Sequence, residues 1–88
     1  MLAKYIYIFY NANMKTNLFA TRIKELRIKR GYTQTCLGEL LGYKKTVICD
    51  WETRGKEPKF DVLIKISQIF NVTTDYLLGI SLIDDKNK

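Results

Sequence analysis

The stretch Gln34-Thr-Cys-Leu-Gly-Glu-Leu-Leu-Gly-Tyr-Lys-Lys-Thr-Val-Ile-Cys-Asp-Trp51 constrains this chain more than any other. It reads as two short helices joined by a tight glycine turn, and such helices pack at a steep angle. That packing needs a small residue where the helices meet, supplied by Gly38, and a turn former after the first, supplied by Gly42. It also needs apolar anchors on both helices, here Leu37 and Leu41, then Ile48 and Trp51. Thr33 is placed to cap the first helix, which runs to Leu41 with Leu37, Leu40 and Leu41 as its apolar face. The second spans about Lys44 to Thr53. Val47, Ile48 and Trp51 point inward, leaving Lys45, Thr46, Cys49, Asp50 and Thr53 outward. A DNA major groove admits one α-helix, so that outward side is free to enter one.

The flanking sequence supplies three further helices. Phe19, Ile23 and Leu26 recur at helical spacing, predicting a helix over about 18–30 with Thr16 or Asn17 as its cap. Gly31 stops it after Lys29 and Arg30, whose charges suit a helix C-terminus. Arg54 to Lys59, with Gly55 and Pro58, reads as a loop. Lys59 or Phe60 then opens a helix with Leu63, Ile66 and Phe70 on one side, and Asn71 ends it. Thr73 caps a last short helix through Leu78, and Gly79 terminates it. Leu2 to Tyr10 is β-branched and aromatic without a helix period, so it reads as a short strand, broken at Asn11-Ala-Asn13. The expected organisation is an all-α, five-helix domain over 14–80, a strand-like extension over 1–13 and a polar tail over 81–88.

Composition narrows the function. With 47% apolar residues and one proline in 88 residues, the chain is one small globular domain, neither disordered nor fibrous. Histidine is absent, which removes the commonest general base and the commonest metal ligand. Cys36 and Cys49 alone do not close a tetrahedral zinc site. No nucleophile–base pair or phosphate loop is visible, so no catalytic residue, metal, cofactor or small-molecule substrate is expected. So few cysteines fit a cytoplasmic protein. The longest apolar run, Tyr5 to Tyr10, is about half of what a bilayer span needs, and it lacks the basic cluster of a membrane-surface segment. Fifteen Lys and Arg against nine Asp and Glu give a formal charge of +6, favouring a polyanionic partner.

The chain resembles the phage-repressor and Cro-type helix-turn-helix family, the lambda repressor-like domain. The resemblance runs through Arg22-Ile-Lys-Glu-Leu-Arg27, Gly31-Tyr-Thr-Gln34, Leu37-Gly38, Leu41-Gly42, Ile48, Trp51-Glu52, Pro58 and Val72-Thr-Thr-Asp-Tyr-Leu-Leu-Gly79, about seven-tenths of the chain. It implies a bacterial or phage-encoded, nucleoid-associated regulator of transcription, a repressor that binds double-stranded operator DNA as a homodimer. Carried over by position, it places Gln34 on a phosphate at the groove mouth. Lys44, Lys45, Thr46 and Asp50 fall at base-reading positions, and Thr53 and Arg54 near the backbone, with Lys56 beside them. Cys49 is then a small neutral residue tolerated near DNA. Lysine suits guanine O6 and N7, threonine a base edge or thymine methyl, and aspartate the cytosine amine. Arg27 and Glu52 match a partly buried structural ion pair.

Two positions depart from the family pattern. Lys44 stands where a small hydroxyl residue usually caps the recognition helix, and lysine does not accept the N–H bond. The glycine usually found three residues after the tryptophan is displaced to Gly55, with Arg54 in its place. The expectation for the N-terminal segment is that Leu2 to Tyr10 pairs with its copy in a second subunit, or with Ile80 to Ile83, and so builds the dimer; the alternative is a dispensable extension, with translation starting at Met14. A protein-interaction module of the same fold, such as an antitoxin or anti-repressor, is the rival reading.

Overall fold

The computed structural model describes residues 18–80, which form five α-helices and, among the described residues, no strand. The helices are α1 (Leu18–Lys29), α2 (Gln34–Leu41), α3 (Lys45–Thr53), α4 (Phe60–Phe70) and α5 (Thr74–Leu78). The proposed strand over 2–10, its pairing with Ile80 to Ile83, the Thr16 or Asn17 cap and the 81–88 tail all lie outside the described residues.

Helix ends are set by backbone chemistry that the sequence carries openly. Gly31, Gly42, Asn71 and Gly79 all adopt positive φ, the left-handed conformation that turns the chain out of a helix. At the end of α2, Gly42 N–H donates to the Glu39 carbonyl and Tyr43 N–H to the Gly38 carbonyl at 2.8 Å, satisfying carbonyls the helix leaves open. The same paired closure follows α1, where Gly31 and Tyr32 donate to Ile28 and Arg27. Thr33 and Thr73 accept from the Cys36 and Tyr76 amides, both at 3.0 Å, and so start α2 and α5.

α2 packs on α3, α1 bridges α3 and α5, and α4 lies against α5 and α2. Gly38 makes the first of these contacts close. A Cβ there would lie 2.6 Å from the Tyr43 carbonyl oxygen, so only a bare backbone fits. Ile23, Leu37, Ile48, Ile66 and Leu77 are fully buried between the helices. Burial of each such side chain stabilises the fold by about 1.5–3 kcal/mol before entropy is counted. Trp51 stands edge-on to Phe19 and to Tyr43, with ring centroids 6.1 and 5.7 Å away, and ties α1, the turn and α3 together.

Three expectations are corrected. α1 stops at Lys29 and α3 starts at Lys45, each one residue inside its predicted limit. Leu40 is 46% exposed and does not belong to the apolar face of α2. Leu37 and Leu41 share one stripe at i, i+4, and Leu40 sits about 100° off the line of Leu41. Arg30 reaches beyond its own helix. Its guanidinium donates to the Ile69 and Phe70 carbonyls at 3.2 and 3.1 Å, capping the end of α4. Arg22, largely buried, donates to the Tyr76 carbonyl and lies 4.2 Å above the Tyr76 ring, fastening α5 to α1.

Candidate functional site

α3 turns one flank to the core and the other to solvent. Ile48 and Trp51 are buried, and Val47 packs partly against the core. On the opposite flank Lys45, Thr46 and Thr53 are exposed, as are Lys44 before the helix and Arg54 and Lys56 after it. Cys49 and Asp50 are half-buried on that same flank. The helix period therefore brings the sequence-predicted residues onto one strip about 14 Å long.

The strip is cationic. Lys44 and Lys45 stand at the N-terminal end, where the helix dipole adds positive charge. Lys44 has the extended backbone of an N-cap but makes no side-chain capping bond. Asp50, the carboxylate on the strip, lies 3.6 Å from the Arg54 guanidinium, so its charge is partly offset. Thr53 Oγ1 donates to the Cys49 carbonyl at 2.8 Å and lies 3.8 Å from the Cys49 thiol, so the hydroxyl is tied to its own helix. Gly55 carries the left-handed turn (φ 73°), and Arg54 N–H still bonds the Asp50 carbonyl. Lys56 N–H reaches the same Asp50 carbonyl at 3.3 Å, so the chain after the helix turns back over its last turn.

A polar lattice fixes the tilt of this helix. Arg27 donates from Nε to Glu52 Oε2 at 2.8 Å and from Nη2 to Glu52 Oε1 at 3.0 Å. Its Nη1 holds the Tyr32 carbonyl at 2.9 Å. The Glu52 side chain is 1% exposed and that of Arg27 12%. The hydrogen bond to Glu52, with the carboxylate charge beside it, raises the Arg27 pKa against the opposing effect of burial. Gln34 Nε2 also donates to Glu52 Oε1, at 3.1 Å. Of the sequence-predicted contacts, Gln34 is therefore anchored inward through one N–H of its side-chain amide, whose NH2 carries a second donor.

Between the starts of α2 and α3 lies an open concavity of about 510 Å³, lined by Arg27, Tyr32, Thr33, Gln34, Thr35 and Lys45. Two hydroxyls, an amide and a lysine at the positive end of α2 suit an anionic group. Sequence reasoning named Gln34 and Lys45 here but missed Thr35. The available signal was position: Thr35 is in the first turn of α2, beside Gln34. No group of His, Cys, Asp and Glu suited to a metal ion occurs among the described residues, and no described helix is long and apolar enough to cross a membrane.

Comparisons with known proteins agree with this fold. Residues 23–77 match the family described as Helix-turn-helix. The HTH-type transcriptional regulator ImmR of Bacillus subtilis (strain 168) is 40% identical over 67 residues, covering 76% of this chain and 53% of that protein. Repressor protein C2 of Salmonella phage P22 is 34% identical over 65 residues, covering 74% of this chain and 30% of its own length. Among solved structures, the P22 c2 repressor in complex with synthetic operator 9T superposes with a TM-score of 0.68 at 32% identity, covering 75% of this chain and 100% of that one. The chain spans about half the length of the curated regulators it matches.

Proposed function

The chain belongs to the helix-turn-helix family, in its phage-repressor form, and on that premise we propose that it is a sequence-specific DNA-binding regulator, a repressor acting as a homodimer on operator DNA. The observation that carries this reading is the solvent-facing strip of α3, with Lys44, Lys45, Arg54 and Lys56 exposed and one carboxylate, already offset by Arg54. The P22 c2 repressor, which shares the fold, is solved with its operator.

In this reading α3 lies in the major groove. Lys44 and Lys45 donate to guanine O6 and N7, and Thr46 reads a base edge or a thymine methyl. Asp50 accepts from a cytosine amine where the operator offers one, and otherwise stays with Arg54. Thr53, Arg54 and Lys56 meet the sugar–phosphate backbone beyond the helix end. Cys49 fills the space between Thr46 and Thr53 without carrying charge. The Thr33, Gln34 and Thr35 side of the concavity seats a phosphate at the groove rim, which fixes register without reading sequence. A two-fold dimer sets its half-sites about 34 Å apart, so the operator is an inverted repeat. Such a protein works where DNA is, in the cytoplasm of a bacterial host.

The test is selection of bound sequences from random duplexes, followed by footprinting of the selected site. An inverted repeat with protected major-groove guanines is the expected result. Recovery of no enriched sequence, with no footprint on any fragment, would refute the proposal.

A further inference from the structure

α3 carries two acids in opposite settings. Glu52 is buried and committed to Arg27, whereas Asp50 keeps 39% of its side chain exposed on the cationic flank. Thr46, Asp50 and Arg54 follow one another at i, i+4 and i+8, so they form one line along that flank. The Asp50 carbonyl accepts from the Arg54 and Lys56 amides, which sets where Arg54 leaves the helix. Arg54 Nε then stands 3.6 Å from Asp50 Oδ1, too far for a hydrogen bond, and 75% of its side chain is exposed. The pair is loosely held, and the Asp50 carboxylate accepts no hydrogen bond from another group of the described chain. Turned toward DNA, it is an acceptor with no donor of its own, and every phosphate repels it.

We propose that Asp50 and Arg54 form one discriminating unit: Asp50 subtracts affinity from every duplex without a cytosine facing it, and Arg54 sets how much is subtracted. This deepens the proposed function and rests on it. The base edges of the major groove fix the choice. Cytosine offers its N4 amine alone, which satisfies the carboxylate. Guanine and thymine turn acceptors toward it, and adenine sets the N7 acceptor beside its amine. On those bases the charge is desolvated against lone pairs, and the complex weakens. Arg54 tempers this loss by screening the carboxylate, and while it does so its guanidinium is withheld from the phosphates. Selectivity at this base therefore comes from a charge left unpaired on wrong sequences, whereas Lys45 selects by adding a bond on the right one.

The test repeats selection from random duplexes with Asp50→Asn and Arg54→Ala, then measures affinity for selected and random duplexes across a salt series. The wild type enriches a cytosine that Asp50→Asn no longer requires. Exchanging that cytosine for thymine weakens the wild type about tenfold or more, Asp50→Asn about twofold or less, and Arg54→Ala more than the wild type. Asp50→Asn also binds random duplex more tightly, and its log–log salt slope steepens by about 0.9, because the freed Arg54 neutralises one more phosphate. Misfolding does not produce a gain in affinity, so this readout stands apart from stability. The assignment is overturned if Asp50→Asn keeps the cytosine requirement or gains nothing on random duplex, or if Arg54→Ala discriminates less than the wild type. In each of those cases the wild type still selects a sequence. A wild type that enriches no sequence refutes the proposed function itself, and this assignment with it.

Discussion

Removing Arg27 tests whether the orientation of α3 depends on its buried pairing with α1. Arg27→Met takes away both bonds to Glu52 and the bond to the Tyr32 carbonyl. The Glu52 carboxylate, its side chain 1% exposed, is left with the Gln34 amide as its side-chain donor. Stranding a buried charge in this way costs about 3–5 kcal/mol. A chain of this size has a total stability of roughly 4–13 kcal/mol, so the variant sits at the edge of folding. Glu52→Gln keeps one acceptor and leaves Arg27 able to recruit water, and it costs about 1–3 kcal/mol. The double variant Arg27→Met, Glu52→Leu removes both charges and returns to within about 1 kcal/mol of wild type or above it. The coupling in the Arg27→Met, Glu52→Leu cycle is then at least ~2 kcal/mol.

Urea denaturation followed by tryptophan fluorescence reads this directly, because Trp51 is the one tryptophan and is 3% exposed. With a slope of about 1 kcal/mol per molar, Arg27→Met lowers the midpoint by roughly 3–5 M. The raised Arg27 pKa carries a sign that the same assay checks. A cation whose folded pKa lies above its unfolded value contributes stability that is complete below the unfolded value and is lost only as pH rises through the folded one. Arg27 therefore keeps its contribution across the ordinary pH range and loses it only in strong alkali. A loss below ~1 kcal/mol for Arg27→Met, or single costs that simply add up to the double, would show that the lattice does not hold α3.

Lys45→Ala costs about 1–3 kcal/mol on the selected operator and much less on random duplex, measured by gel shift; equal losses would make Lys45 a phosphate contact. If each half-site engages ~3 phosphates, the log–log salt dependence of operator affinity has a slope of roughly −5. Arg30→Ala frees the last carbonyls of α4 and costs about 1 kcal/mol, seen as a fall in Tm of some 4–8 °C; no fall would mean that water replaces the cap without loss. The two glycines of the turn fail differently. Gly42→Ala strains a left-handed residue by about 1–2 kcal/mol and leaves the packing in place. Gly38→Ala forces α2 away from the Tyr43 carbonyl at about 1–3 kcal/mol, partly offset by better helix propensity. Amide shifts around Tyr43 move in the second variant and stay in the first.

What the sequence disclosed was local. Gly31, Gly42, Asn71 and Gly79 act within their own helix ends, and Thr33 and Thr73 bond amides three residues on, so both kinds of signal are legible without a third dimension. Leu40 was misread because three leucines within five residues satisfy a helical stripe that two of them fill. Arg30 was credited to its own helix dipole, although the carbonyls it caps lie some forty residues away. The inward bond of Gln34 and the concavity beside Thr35 arise only when α1, α2 and the ends of α3 are brought together. Phe60 was read as a helix start, and its exposure depends on which side of α4 the rest of the chain covers. The Arg27–Glu52 pair came from likeness to a family, since its members stand 25 positions apart and no periodicity links them.

The left-handed residues that close α1, α2, α4 and α5 have a consequence for variation. Corners turned by main-chain handedness do not depend on which atoms decorate the exterior. The outward alphabet of α3 is therefore free to be rewritten without altering where the cylinder points. A scaffold of this kind separates the problem of holding a shape from the problem of choosing a target, the physical condition under which one small architecture diversifies its vocabulary.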